Sequence, residues 1–211
     1  MDKKIQLDTF YRYSQVSRET ISSLMKYEEL LIQKNKDLNL VGKSTINNIW
    51  HRHFLDSLQV IDFIDKNQKT LVDIGSGAGF PGLVLSIIAK DRKIPLKIKL
   101  IDKSQKKINF LKEIIIKLKL NAVAINHNVE DEKFNFNDDS FVSRAFKPFP
   151  KILELIHNKA KNFKKIIIFL GKSGQDELLR ASKNWDIKYK QRMSITSSDS
   201  FIIEINKLEK K

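Results

Sequence analysis

Two periods of hydrophobic and polar positions divide the chain. In residues 18–38, Ile21, Leu24, Met25, Leu30 and Leu31 recur at helical spacing among charged positions, which predicts an amphipathic helix. Ser44-Thr45 is placed to cap a second helix, and the stripe Ile46, Ile49, Trp50, His53, Ser57, Ile61 and Ile64 suits packing on a larger body. Residues 1–68 therefore read as a helical extension. From Thr70 the pattern becomes β-α-β: strand 70–74, helix 81–90, strand 97–101, helix 104–119 with Ile108, Leu111, Ile115 and Leu118 on one face, and strand 122–126. A polar loop from Asn135 to Asp139 precedes a strand at Phe141-Val142-Ser143, a helix from Pro148 to Asn162, an apolar strand from Lys165 to Leu170 and a helix at 174–183. Asp186 to Ile195 and Ser200 to Ile205 alternate with no helix between them, so an antiparallel pair is expected to close the sheet, with the last lysines frayed. Residues 69–211 thus predict an α/β domain with a mostly parallel sheet, packed with the extension as one unit.

The break between the first strand and its helix is chemically the most specific stretch. In Leu71-Val72-Asp73-Ile74-Gly75-Ser76-Gly77-Ala78-Gly79-Phe80-Pro81-Gly82, a buried-looking strand enters a glycine-rich turn built for close approach to a ligand. A dinucleotide fingerprint needs glycine at position 80, where this chain has Phe80, so ordinary NAD binding is disfavoured. Asp102 ends the next strand, where a carboxylate can accept hydrogen bonds from both hydroxyls of an adenosine ribose. Turn and acid together point to an adenosyl ligand.

Composition narrows the chemistry. The 211 residues suffice for one α/β unit and fall short of two ordinary enzyme domains. There is no cysteine, and His51, His53, His127 and His157 form no spaced ligand set beyond the close first pair, so a metal site is not expected. No segment approaches the length of a membrane span, and the expectation is a cytoplasmic monomer. The net charge of +14, from 39 basic and 25 acidic side chains, favours a polyanionic partner such as RNA. The same lysine richness, with isoleucine and asparagine, also fits an AT-biased coding sequence.

Several further motifs accompany the turn: Asn39-Leu40, Arg52-His53-Phe54-Leu55-Asp56-Ser57-Leu58, Leu100-Ile101-Asp102, Val129-Glu130 and Ser143-Arg144-Ala145-Phe146. With them the chain resembles the RsmG (GidB) family of Rossmann-like class I S-adenosylmethionine-dependent methyltransferases over nearly its whole length. The resemblance implies a mostly parallel sheet ending in a C-terminal antiparallel hairpin. It also implies methyl transfer from S-adenosyl-L-methionine, leaving S-adenosyl-L-homocysteine, to N7 of guanine 527 in 16S ribosomal RNA, naked or in a small-subunit precursor. Gly75, Phe80, Val129, Glu130 and Arg144 fall on the family's cofactor-contact positions.

Chemistry adds Gly77 and Asp102 to that cofactor set, with Val129 and Glu130 bracketing adenine. Guanine N7 carries an in-plane lone pair at neutral pH, so no general base is expected; Arg144 and Lys172 are positioning candidates. Lys172, in Leu170-Gly171-Lys172-Ser173, is displaced by one position from the family's Leu-Lys-Gly, and Asn128 stands where an arginine is usual. Position 166 is Ile166, which excludes a P-loop ending at Gly171-Lys172-Ser173. His53 reads as buried and hydrogen-bonded, Trp50 and Phe54 as core, and Asp56 and Ser57 as partners of the glycine turn. A methyltransferase with another acceptor and a noncatalytic RNA-binding factor remain alternatives.

Overall fold

The computed structural model describes residues 1–138, 140–160 and 162–211. The chain opens with α1 (Lys3–Ser14), where the Asp2 carboxylate accepts from the Lys4 and Ile5 N–H groups, and continues into α2 (Arg18–Leu38), capped by Ser17. The apolar pattern did not reveal α1, because two of its buried residues are polar: Gln6 and Ser14 flank Phe10. Gln6 is compensated by donating to the Met1 and Asn47 carbonyls. In α2, Leu24, Leu30 and Leu31 are buried, whereas Met25, expected with them, is exposed.

The second predicted helix is not one regular helix. It runs as α3 (Lys43–Ile46), a π-helical stretch (Trp50–Leu55), α4 (Asp56–Leu58) and a 3-10 stretch (Gln59–Phe63). Trp50, His53, Phe54 and Leu55 are all buried, a demand broader than one stripe of a regular helix meets. Trp50 packs edge-on against both Phe10 and Phe54, as core residues should.

The α/β part follows in order: β1 (Thr70–Ile74), α5 (Gly82–Asp91), β2 (Lys97–Asp102), α6 (Gln105–Leu118), β3 (Ala122–Asn126), β4 (Ser140–Ser143), α7 (Phe149–Lys159), β5 (Lys165–Leu170), α8 (Gly174–Ser182), β6 (Trp185–Met193) and β7 (Phe201–Lys210). The sheet order is β3-β2-β1-β4-β5-β7-β6; the first five strands are parallel, β7 is antiparallel to β5, and β6 is antiparallel to β7. The terminal lysines are ordered rather than frayed, because Lys210 pairs with Trp185 and the Lys211 N–H donates to the Asn184 carbonyl. Helix α7 stops at Lys159; Lys161, within the predicted helix, and Asp139, at the end of the predicted loop, lie outside the described residues.

Helix α5 explains how extension and sheet fit together. Every residue from Gly82 to Ala89 is buried, and all but Ser86 lack a polar side chain, so the helix needs cover on both sides. The sheet covers one side, and α2, α4 and the 3-10 stretch cover the other. One continuous core therefore runs from Phe10 and Leu24 through Leu83 and Leu85 to Ile98 and Val142. Among the described residues no helix is long and apolar enough to cross a membrane.

Phe10 is fully buried on the element least evident in the sequence, so Phe10→Ala is expected to destabilise the whole chain by about 3–5 kcal/mol. Urea unfolding should show a lower midpoint at unchanged slope. A midpoint equal to that of the parent protein would mean that α1 is not part of the cooperative core.

Candidate active site

At the carboxyl end of β1 the chain turns sharply, and the turn is fixed by its neighbours. The N–H groups of Gly75 and Ser76 donate to the Ile101 carbonyl at 2.9 and 3.0 Å. Gly75 has φ +73°, and a Cβ there would lie 2.2 Å from the Phe146 ring, so both backbone and space demand glycine. Asp73, inside β1 and fully buried, accepts from the Gly82 N–H at 2.8 Å and so joins the strand to the start of α5. A Cβ on Gly82 would sit 2.6 Å from that carboxylate oxygen. Burial pushes the Asp73 carboxyl up to about 7, with the Gly82 hydrogen bond opposing. The sequence motifs did not single out Asp73 as a site residue; its signal was a lone acid in an otherwise apolar strand.

Asp102, at the end of β2, accepts from the Gly77 N–H at 3.0 Å and from the Ser104 N–H at 2.8 Å. Each carboxylate oxygen thus takes one backbone donor and keeps further acceptor capacity. The turn and Asp102 open onto a cavity of about 470 Å³. Gly75, Gly77, Phe80, Asp102, Val129, Glu130 and Arg144 all line it. Lys172 does not; it is exposed on the turn after β5. Phe80 is largely buried, its ring stacked 4.7 Å from His53 and 5.5 Å from Tyr27. Val129 is buried, while the Glu130 carboxylate meets the Lys147 ammonium at 2.8 Å, a contact that draws its pKa below the ordinary value. His127 and Asn128 complete that side, with His127 tilted against Phe134 at 4.5 Å.

Arg144, just past β4, bridges the sheet and the extension. Its Nη2 donates to the Arg52 carbonyl at 2.8 Å and meets His53 Nδ1 at 3.1 Å, while Nε lies 3.2 Å from Asp56 Oδ2. A guanidinium has only donors, so His53 Nδ1 accepts, and the ring N–H is left on Nε2, 3.0 Å from Thr45 Oγ1. His53 is therefore neutral; burial, then Arg144 and Arg52, lower its pKa to about 3. It is buried and hydrogen-bonded, as its place on the apolar stripe suggested.

Asp56 and Ser57 depart from expectation. The Asp56 carboxylate serves Arg144 and also accepts from Thr196 Oγ1 at 2.6 Å and Gln59 Nε2 at 3.1 Å, while Ser57 Oγ is buried with no partner among the described residues. The glycine turn has no need of them, because Asp73, Asp102 and the Ile101 carbonyl already take the N–H groups of Gly82, Gly77, Gly75 and Ser76.

A family model described as rRNA small subunit methyltransferase G (GidB) matches residues 20–204. A protein of Pelagibacter ubique (strain HTCC1062) named ribosomal RNA small subunit methyltransferase G is 39% identical over 199 residues, covering 93% of this chain and 92% of its own. One of the same name from Rickettsia akari (strain Hartford) is 37% identical, covering 93% and 98%. Among solved structures, M. capricolum TrmK in complex with S-adenosyl-homocysteine matches with a TM-score of 0.52 at 24% identity, over 72% of this chain and 67% of its own. A SAM-dependent methyltransferase from Aquifex aeolicus matches with a TM-score of 0.52 at 17% identity, over 71% and 88%. These two share the Rossmann-like class I methyltransferase fold with this chain.

The two perturbed groups make opposite contributions to stability. Above pH 6.5 His53 is neutral folded or unfolded; as pH falls from 6.5 towards 3 the unfolded chain takes up a proton that the folded chain refuses, and stability is lost. Asp73, raised from 3.8 to about 7, contributes fully below pH 3.8, and that contribution is lost as pH rises through 7. His53→Gln removes only the first contribution. Between pH 7 and 4 the parent protein should therefore lose stability relative to the variant by more than ~1 kcal/mol, since one unit of pKa separation is worth about 1.4 kcal/mol. Urea unfolding at stepped pH checks this, and a difference that does not vary with pH refutes it.

Proposed function

The chain belongs to the rRNA small subunit methyltransferase G family, and from that premise we propose that it transfers a methyl group from S-adenosyl-L-methionine to N7 of a guanine in 16S ribosomal RNA, guanine 527 in the usual numbering. The observation that carries this reading is the meeting of Gly75, Gly77, Asp102, Val129, Glu130 and Arg144 around one cavity at the carboxyl ends of β1, β2 and β4. Open α/β sheets bind ligands at that end.

The residues present suit the donor. Asp102 has acceptor capacity left for the ribose hydroxyls, and the open backbone of the turn lets the methionine part approach. Val129 offers an apolar surface for adenine, with Glu130 beside it. When bound, S-adenosylmethionine supplies an electrophilic methyl group on a sulfonium.

What the chain itself contributes is positioning. Guanine N7 needs no deprotonation, so the protein must hold the acceptor in line and exclude water. Arg144 is suited to this, because three contacts from the extension fix its guanidinium and its side chain is only 18% exposed. Lys172, outside the cavity, is left with a positioning role towards the RNA. The charge of +14 supports a polyanionic acceptor, bound with a steep dependence on salt.

Incubation with methyl-labelled cofactor and unmodified small-subunit RNA, naked or in particles, should place label on N7 of a single guanine. Asp102→Ala should weaken S-adenosylhomocysteine binding about 10- to 100-fold in a calorimetric titration, because it removes acceptors of charge-assisted hydrogen bonds. No transfer to either form of the RNA would sink the functional reading, and parental affinity in Asp102→Ala would show that the cofactor is held elsewhere.

A further inference from the structure

On the far side of Arg144 lies a second cavity, of about 300 Å³, bounded by Arg52 and Asp56 of the extension, the end of β5 and the loop between β6 and β7. It shares Arg144 and Ala145 with the larger cavity, so these two residues stand at the boundary of both. Ala145 has φ +53°, a left-handed conformation that residues with a Cβ rarely adopt and that persists where surrounding structure imposes it.

The lining has the chemistry of a base-binding pocket. Phe169, half-buried, gives an aromatic face, and the Arg144 guanidinium carbon lies 5.9 Å from its ring centroid. Thr196, Ser197 and Ser200 bring hydroxyls from the loop, with Thr196 anchored by its 2.6 Å hydrogen bond to Asp56. Of the guanidinium nitrogens of Arg144, Nη1 is buried and has no hydrogen-bond partner among the described residues.

We propose that this second cavity receives the guanine to be methylated, turned out of the RNA and laid against Phe169. The inference rests on the guanine-N7 reading and adds to it the place where the acceptor sits. Chemistry on a base requires the base to leave its stack, and an aromatic face repays part of that cost. On the Hoogsteen edge of guanine N7 must stay free to attack the methyl group, and beside it O6 is an acceptor where adenine presents an amino donor. A donor-only guanidinium at the wall between the cavities therefore suits O6 of guanine and disfavours the amino group of adenine. The loop hydroxyls, able to donate or accept, suit ribose and phosphate at the rim.

The test compares Phe169→Ala and Phe169→Tyr in methyl transfer to unmodified small subunits, with S-adenosylhomocysteine affinity measured in parallel. Phe169→Ala should lower kcat/KM about 10- to 100-fold, the worth of one base-aromatic stack, while cofactor-product affinity stays within about twofold. Phe169→Tyr, which keeps the ring, should retain most of the activity. Undiminished turnover in Phe169→Ala overturns the assignment. So does a tyrosine variant as defective as the alanine one, or a loss of cofactor-product affinity as large as the loss of turnover. Mapping the methyl group made by the parent protein separates the two levels: no N7-methylguanine refutes the functional reading and this inference with it, whereas normal N7 methylation by both the parent and Phe169→Ala refutes only the placement of the base.

Discussion

The rim of the molecule depends on one partly buried cation. Arg144 emerges from β4 into a site where its guanidinium is mostly withdrawn from water, and such a charge is tolerated only when matched by acceptors. Among the described residues all the hydrogen-bond and ionic matches come from one short segment of the extension: the Arg52 carbonyl, His53 Nδ1 and the Asp56 carboxylate. In sequence these lie within five residues, across the junction of the π-helical stretch and α4, so one short segment answers Nε and Nη2 of the guanidinium. Breaking the pair on either side would leave an uncompensated charge, which ties the extension to the sheet electrostatically just where α5 already ties it hydrophobically.

That arrangement fixes protonation states as well as positions. His53 must keep a lone pair on Nδ1 to receive Arg144, so it cannot serve as a cation near the RNA and is poorly placed to move protons. Its ring is also stacked on Phe80, which lines the larger cavity, so the same histidine supports the guanidinium and a cavity wall. Asp73 is held by Gly82 below the turn, too deeply buried to meet a ligand. The acidic group left at the surface of the cavity beside the turn is Asp102, and both of its oxygens are oriented by backbone N–H groups. The two acids differ by depth: both accept from backbone N–H groups around the turn, Asp73 from within the core and Asp102 at the cavity.

Much of this was legible because its causes are local. The runs at Leu71–Ile74 and Lys165–Leu170 are strands because they are buried on both faces, and the glycines of the turn announce a constraint of backbone geometry at neighbouring positions. The family motifs drew attention to Val129, Glu130 and Arg144, which no period or spacing would have singled out. What escaped depends on distant partners. Asp56 finds Thr196 across 140 residues of chain, and nothing in its own neighbourhood says that its carboxylate belongs to that loop. Helix α1 was hidden by Gln6 and Ser14, polar residues whose burial makes sense only once the Met1 and Asn47 carbonyls are in place around Gln6. The change to π-helical pitch at Trp50–Leu55 likewise answers the space between Phe10 and Phe54, a tertiary demand.

Those long-range contacts also determine how two cavities can meet without merging. A methyl group passes between molecules only if donor and acceptor approach from opposite sides of the carbon, so a transferase of this kind needs two pockets with a shared boundary. The two cavities of this chain share Arg144 and Ala145, a turn held on one side by the extension and on the other by the sheet. Most of the lining of the first cavity comes from the segments after β1, β2, β3 and β4, which local motifs encode, and Leu40, Val41, Gly42 and His53 of the extension complete it. The second needs the extension, the end of β5 and the β6–β7 loop together, with Asp56 joining the first of these to the last. Both cavities therefore take part of their lining from the extension, the first through Leu40, Val41, Gly42 and His53 and the second through Arg52 and Asp56. The helical segment at the start of the chain therefore shapes both cavities as well as covering α5.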